Sequence, residues 1–281
     1  MRLFISVDME GITGVCHRDH LLAGGTDYER ARGWLVHDVN AVIEGALSAG
    51  ASEIVVADGH ATMRNIPLEM LHEKAQYLTG PAQFRNRPLS QLAELDENRF
   101  DAAMLVGYHV RAGTPNGLLA HTWAGALVHE IRINGKPAGE ARINAAIFGE
   151  FGIPVVLATG ADDFVREVRE DLGDDLVAVA VKKVIGPTAV LTQSLGDAAW
   201  ALRDGAERAL RQTREPYAVA RPVRFEIDFH RREMCEQAAE MGGERTGDRT
   251  LEFKADKVTG AVQATWRALT HAFRSEGDFL A

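Results

Sequence analysis

Asp8 and Glu10 stand two residues apart, just past a short and mostly apolar run, Arg2-Leu3-Phe4-Ile5-Ser6-Val7. In a strand, residues two apart point the same way. Both carboxylates would therefore project together at the strand's carboxyl end, where they repel unless a cation sits between them. Hard divalent cations and zinc are the usual partners for such a pair. A solvated acidic turn would look the same on this motif alone. Two further runs change the balance. Glu53-Ile54-Val55-Val56-Ala57 ends in Asp58-Gly59-His60, and Ala102-Ala103-Met104-Leu105-Val106 ends in Gly107-Tyr108-His109. Both are continuous apolar runs of the kind that parallel sheets bury on both faces. Ligands of open α/β sheets gather at the carboxyl ends of strands. Three such strands would deliver Asp8, Glu10, His60 and His109 to one sheet edge. A lone histidine reads as an ordinary core or surface residue. Two at matching strand ends, opposite a carboxylate pair, read as metal ligands.

More residues of the same chemistry follow. Thr114-Pro115-Asn116-Gly117 has the composition of a turn, and the chain then reaches His121-Thr122-Trp123. Ala126 to Ile133 alternates as a strand should, and Asn134-Gly135 is a strong hairpin signal. Lys136-Pro137-Ala138-Gly139-Glu140 then opens a helical stretch, Ala141 to Phe151. Glu140 falls in its first turn, where the helix dipole favours a carboxylate. Alone it would be no more than a helix-start acid.

Taken together these segments resemble the DppA-type D-aminopeptidases, binuclear zinc peptidases of bacterial dipeptide-permease operons. The resemblance rests on Ser6-Val7-Asp8-Met9-Glu10-Gly11, Asp58-Gly59-His60, Gly107-Tyr108-His109 with Arg111-Ala112 and Thr114-Pro115, the His121 segment, and Gly139-Glu140 with Asn144-Ala145. Order and spacing match along about the first 160 residues, and the later part continues in similar style. The resemblance implies two zinc ions per subunit. Asp8 would be shared by both, and Glu10, His60, His109 and Glu140 would complete the two coordination spheres. His121 matches the family's catalytic histidine, which is not a ligand. The family's founding member is a ring-stacked decamer, so a homodecamer or another ring-type homo-oligomer is implied. There is one departure: this chain has an extra residue between His109 and His121, within Thr114 to Leu119. It bears on substrate preference more than on the metal site.

The chemistry is coherent apart from the name. Mixed carboxylate and imidazole donors suit zinc. Two metals ~3.5–4 Å apart can share a water and lower its pKa toward neutrality. An unliganded His121 beside them can act as base, nucleophile or oxyanion stabiliser, and the sequence leaves that choice open. Asp58 and Asn144 are either groups that orient ligands or an ordinary turn Asp and helix-surface Asn. The expected activity is a zinc-dependent aminopeptidase or amidase acting on short peptides with a free amino terminus, D-residues included. The alternative is a non-catalytic peptide- or metal-binding protein of the same fold. A two-metal phosphoesterase would need an anion-binding cluster, and Arg111 and Arg142 are the only obvious cations for one.

Composition fits an enzyme of this class. With 46% hydrophobic and 25% charged residues, the chain is ordinary for a globular protein. A net charge of −9 argues against nucleic acid as a partner. Cys16 and Cys235 form neither a disulfide framework nor a cysteine metal motif. The N-terminus enters a strand at once, without a signal-peptide pattern, and no apolar run approaches the ~20 residues of a membrane span. A cytoplasmic protein without membrane contact is expected.

These residues require an alternating scaffold. Tyr28 to Leu47 reads as an amphipathic helix ended by Gly50. Pro154 to Ala158 is a buried strand followed by a helix to about Leu172, Leu176 to Val181 another strand, and Ala189 to Leu210 a helix weakened at Gly196. Residues 1–215 thus read as an α/β metal-binding catalytic domain, a mainly parallel sheet flanked by helices. Residues 216–281 read as a smaller α+β subdomain packing at the site or at an oligomer interface. Its elements are a strand at Pro222 to Phe229, a helix at Arg231 to Met241, a strand at Thr250 to Lys254 and a helix at Asp256 to Phe273.

Overall fold

The computed structural model describes residues 1–80, 92, 95 and 100–275, with side chains as far as residue 273. The chain runs β1 (Arg2–Val7), α1 (Tyr28–Ser48), β2 (Glu53–Asp58), β3 (Ala75–Leu78), β4 (Ala102–Tyr108), β5 (Val128–Ile133), β6 (Lys136–Pro137), α2 (Glu140–Glu150), β7 (Val155–Ala161), α3 (Asp162–Leu172), β8 (Val177–Gly186), β9 (Ala189–Thr192), α4 (Leu195–Leu210), β10 (Val223–Phe229), α5 (Arg232–Ala239), β11 (Glu244–Arg245), β12 (Thr250–Ala255) and α6 (Val258–Ser275).

The expected α/β architecture is present. The larger sheet has the order β3-β2-β1-β4-β7-β8-β9. Its pairings are parallel except for β8 with β9. From β1 the chain moves outward to β2 and β3, then returns to the other side of β1 as β4. The β1/β4 neighbourhood is thus the topological switch point, where the crevice at the carboxyl edge binds ligands in open sheets. The strand sequences are apolar throughout because both faces are covered. Leu3, Ile5 and Met104 pack with Leu35, Val39 and Val42 of α1 and Leu202 of α4 on one side. Phe4, Ala103 and Leu105 pack with Phe148 of α2 and Phe164 of α3 on the other.

A second, antiparallel sheet has the order β11-β12-β10-β5-β6. Asn134 and Gly135 have φ of 51° and 76°, the left-handed pair that a tight hairpin needs. Lys136–Pro137 is therefore the return strand of that hairpin, and helix α2 begins at Glu140. β5 also pairs with β10, Ile131 against Ile227 and Ile133 against Phe225. The expected division at residue 215 therefore does not separate the two sheets. This long-range pairing buries the apolar face of β5, and no local pattern announces it. Residues 276–281 of the expected subdomain lie outside the described residues.

Two smaller expectations change as well. Ala189–Thr192 is not helical but forms the edge strand β9. Helix α4 starts only after Ser194, whose hydroxyl caps it by accepting from Asp197 N at 3.1 Å. Strand β3, a short Ala-Gln-Tyr-Leu edge, has no counterpart in the sequence reading. No helix among the described residues is long and apolar enough to cross a membrane.

The loop after β1 touches the end of β4 through backbone. Gly107 has φ 76°, and a Cβ there would lie 2.3 Å from the carbonyl oxygen of Asp8. Gly113 has φ 82° and open space around it. Gly107→Ala should cost about 2–5 kcal/mol, left-handed strain of ~1–2 plus crowding of ~1–3. Gly113→Ala should cost only the strain. Urea midpoints of the two variants check this, and equal losses would contradict it.

Candidate metal centre

β1 continues its ladder one step past its end, with Asp8 N donating to Val106 O at 2.8 Å. That bond holds Asp8 against β4. Two residues on, the chain has left the strand for a turn, and Glu10 brings its carboxylate to the same imidazole that Asp8 meets, His60. His60 follows β2 and His109 follows β4, each at the same sheet edge. Glu140 opens α2 from the other side of the cleft. Asp8, Glu10, His60, His109 and Glu140 are all buried, at 3%, 3%, 7%, 3% and 7% exposure. The five residues read from the sequence as ligands thus converge.

Each imidazole is aimed by the nitrogen that faces away from the cluster. His60 directs Nε2 to the Leu21 carbonyl at 2.9 Å. Its Nδ1 lies 3.3 Å from Asp8 Oδ1 and 3.2 Å from Glu10 Oε2. His109 does the reverse. Its Nδ1 meets the Val110 carbonyl at 2.9 Å, and its Nε2 lies 3.4 Å from Asp8 Oδ2 and 3.6 Å from Glu140 Oε1. The two oxygens of Asp8 therefore serve two different histidine–carboxylate groups. His121 stacks on His109 with ring centroids 4.0 Å apart and planes at 8°. Its Nδ1 is engaged by the Leu119 carbonyl at 2.9 Å. Its Nε2 is left facing Glu10 and Glu140 at 3.9 and 4.0 Å.

Charge explains why this set calls for a cation. Three carboxylates out of water are costly unless paired. Burial pushes the Glu10 carboxyl upward, but the charges of His60, His109 and His121 outweigh it and hold the group well below the usual range. Burial likewise works against protonated His60, yet Glu10 and Asp8 raise its pKa well above normal. His109 is raised in the same way by Asp8 and Glu140. Even so, Glu10 Oε2 and His109 Nε2 are buried without a hydrogen-bond partner. Such orphaned atoms require an explanation, and oxygen and nitrogen donors of this kind fit zinc. The groupings close enough to hold an ion are Asp8–Glu10–His60, Asp8–His109–Glu140 and Glu10–His109–His121.

The supporting shell is mostly backbone-directed. Asp58 braces the turn that carries His60: it accepts from His60 N at 3.1 Å, Asn65 N at 2.5 Å and Tyr77 OH at 3.0 Å. Asn144 donates to Tyr108 OH at 2.8 Å, and that hydroxyl bonds Ser6 Oγ at 2.7 Å, so Asn144 braces the strands beneath the site.

Several groups were not anticipated from sequence. The Trp123 amide donates to Glu140 Oε1 at 2.8 Å. Glu167 of α3 accepts from Arg111 N and Thr114 Oγ1 at 2.9 and 3.1 Å, and Asp163 accepts from Leu118 N at 2.9 Å. Together they pin the loop between His109 and His121. Within it, Gly117 N bonds Thr114 O at 3.1 Å with Asn116 at φ 55°, so the expected turn forms. Lys182 of β8, 2% exposed, points into the loop after β1. Burial lowers its pKa to about 7. A lysine closing an apolar run (Val177-Ala178-Val179-Ala180-Val181) was the available signal. Arg111 pairs with Glu167 at 2.9 Å and Arg142 with Asp171 at 3.0 Å. Both cations that a phosphoesterase would have needed are thus committed elsewhere.

An open α/β sheet with a buried carboxylate–imidazole cluster at its switch point defines a protein with a candidate metal centre. Comparison with known proteins narrows the class. Residues 1–266 match the family Peptidase M55, D-aminopeptidase. A D-aminopeptidase of Bacillus subtilis (strain 168) is 33% identical over 268 residues, covering 94% of this chain and 95% of that protein. A solved structure, "Zn-dependent D-aminopeptidase DppA from Bacillus subtilis, a self-compartmentalizing protease", superposes with a TM-score of 0.90 at 30% identity over the full length of both chains. The chain belongs to the D-aminopeptidase family.

Metal and proton compete for His60 and His109. With folded pKa values raised above the unfolded ~6.5, their pairing stabilises the metal-free protein fully below that pH. The contribution is lost as pH rises through the folded values. Metal binding needs the neutral imidazoles and strengthens over the same range. Thermal melts in chelator and in zinc should therefore diverge as pH rises from about 6.5. A constant gap between the two melting curves would contradict this.

Proposed function

We propose that this protein is a zinc-dependent aminopeptidase that hydrolyses short peptides with a free amino terminus, D-amino-acid peptides among them, with two zinc ions per subunit. The observation that carries this reading is the division of Asp8, with Oδ1 toward His60 and Oδ2 toward His109. Asp8 would bridge the ions, Glu10 and His60 would hold one, and His109 and Glu140 the other. The family match and the zinc dependence of the solved relative support it. When bound, zinc supplies Lewis acidity and a bound water that ionises near neutral pH.

The chain's own residues supply the rest. His121, with Nδ1 tied to the Leu119 carbonyl, keeps Nε2 free to take up or deliver a proton at the reacting centre. Its side chain is 28% exposed, against 2% for His109, so it reaches the open side of the cluster. A protein that only bound peptide or metal would have no need of such a group. Paired measurement of zinc content and kcat on a D-alanine amide or D-alanine dipeptide tests the assignment. Asp8→Ala should lose most of its zinc. His121→Ala should keep its zinc while kcat falls ~10²–10⁴-fold. Loss of zinc in His121→Ala would make that residue a ligand, as the Glu10–His109–His121 grouping permits.

We further propose a cytoplasmic ring-type homo-oligomer, a decamer. The relative described as self-compartmentalizing supports the assembly, and the two free cysteines support the compartment. Trp123 and Trp266 pack against each other with centroids 5.0 Å apart, and Trp123 also stacks on Phe225. These contacts support packing of the stretch from residue 216 beside the site, through Phe225 and Trp266. Trp200 is 72% exposed, as are Ile185 at 65% and Leu191 at 67%. These make the better contact surface. Light scattering should give a mass many times 30.6 kDa, and Trp200→Glu should lower it. A monomeric wild type would refute the assembly.

A further inference from the structure

Lys182 is a buried cation that the zinc reading does not use. On β8 the register against β7 slips by one residue: Gly160 faces Ala180, but Ala161 faces Lys182. Val181 and Lys182 are consequently both buried, at 1% and 2% exposure, although strand alternation would send one of them outward. The slip turns the lysine into the sheet edge beneath the loop after β1. There its Nζ donates to Glu10 O at 2.6 Å, Ile12 O at 2.7 Å and Val15 O at 2.6 Å. An ammonium has three donors, and all three go to carbonyls of this one loop.

The same loop has other attachments, but among the described residues no other one is to the Glu10 carbonyl. Asp38 of α1 accepts from Thr13 N and Oγ1 at 2.8 and 2.9 Å. Gly11 N donates to Gly107 O at 2.7 Å, and Gly14 N to Thr192 Oγ1 at 3.0 Å. Among the described residues only the lysine gathers Glu10, Ile12 and Val15 about one point. The peptide it grips at Glu10 belongs to the residue whose carboxylate stands between His60 and His121.

We infer that Lys182 is the positioning residue for Glu10, a buried ammonium that folds residues 10–15 around itself and so sets where the Glu10 carboxylate meets the metal centre. The inference rests on the two-metal reading, and the experiment separates the two. Charged or hydrogen-bonding groups one layer behind a ligand commonly tune metal affinity ~10–100-fold when removed. Lys182→Met keeps the length and removes the donors and the charge. Lys182→Arg keeps the charge, but a planar fork cannot converge on three carbonyls in the same way.

The full-length protein would be stripped of metal and titrated with Co²⁺, with d–d absorption as the readout, together with chelator competition, melting temperature, kcat and KM. Lys182→Met should bind one Co²⁺ at least ~10-fold more weakly, with a changed absorption band, and should lose more in kcat than in KM. Lys182→Arg should fold, show the changed band and fall between Lys182→Met and wild type in affinity. Wild-type affinity and spectrum in either variant, with only a lowered melting temperature, would overturn the inference and leave Lys182 a fold-stabilising residue. If neither variant yields folded protein, the lysine is needed for the fold itself, and the specific role for Glu10 is likewise overturned. A wild type that binds no Co²⁺ would instead sink the metal-centre reading. Binding without peptide hydrolysis would sink only the peptidase reading.

Discussion

The structure depends on one constraint: the carboxylates of Asp8, Glu10 and Glu140 are buried together in one space. Carboxylates so placed repel each other and lose their hydration. Two imidazoles close by reduce the repulsion, yet Glu10 Oε2 and His109 Nε2 still lack partners. The arrangement is therefore incomplete as a set of protein groups and complete as a set of ligands. Holding such a cluster without metal requires a scaffold that cannot relax. That accounts for the backbone contacts between the loop after β1 and the end of β4, where Gly11 and Gly107 leave no room for a side chain.

The topology makes the cluster possible with few residues. Because β1, β2 and β4 are parallel neighbours, three strand ends open at one edge, and each needs only one or two ligands. The chain reverses its direction of winding between β1 and β4, so the helices flanking them part and leave the cleft. Glu140 enters this cleft from α2, covered by the second sheet. Orientation is then set from outside the cluster by main-chain carbonyls: Leu21 for His60, Val110 for His109 and Leu119 for His121. Each uses one ring nitrogen and so decides which nitrogen faces inward. This is why His60 presents Nδ1 while His109 and His121 present Nε2.

Local sequence was sufficient for what is local. Strands β1, β2 and β4 and the residues at their ends were legible because an apolar run and its terminal Asp or His are contiguous in the chain. The Asn134-Gly135 hairpin was legible for the same reason. Features made by distant pieces were not. The pairing of β5 with β10 joins residues about a hundred apart, so the second sheet draws strands from both sides of residue 215. The inward turn of Lys182 depends on a register slip against β7 that no periodicity records. The amide of Trp123 is invisible to any reading of side-chain types. Asp58 was recognised as near the site, but its role is to hold the peptide of its own turn and the Asn65 segment rather than the His60 ring.

The second sheet therefore reaches the metal centre. Trp123 has φ 57°, a left-handed conformation uncommon for a bulky residue. Its indole lies between Phe225 of β10 and Trp266 of α6, and that packing offsets the backbone strain. The same conformation presents its amide to Glu140. The Glu140 carboxylate, a candidate ligand supplied by α2, is thus oriented by a residue whose own geometry is imposed by elements more than a hundred residues further along. The two sheets are joined through the shared apolar core and, in addition, through one carboxylate. Displacing the C-terminal elements would release Trp123 and free Glu140 to rotate, so the metal centre and the packing of the second sheet form a single mechanical unit.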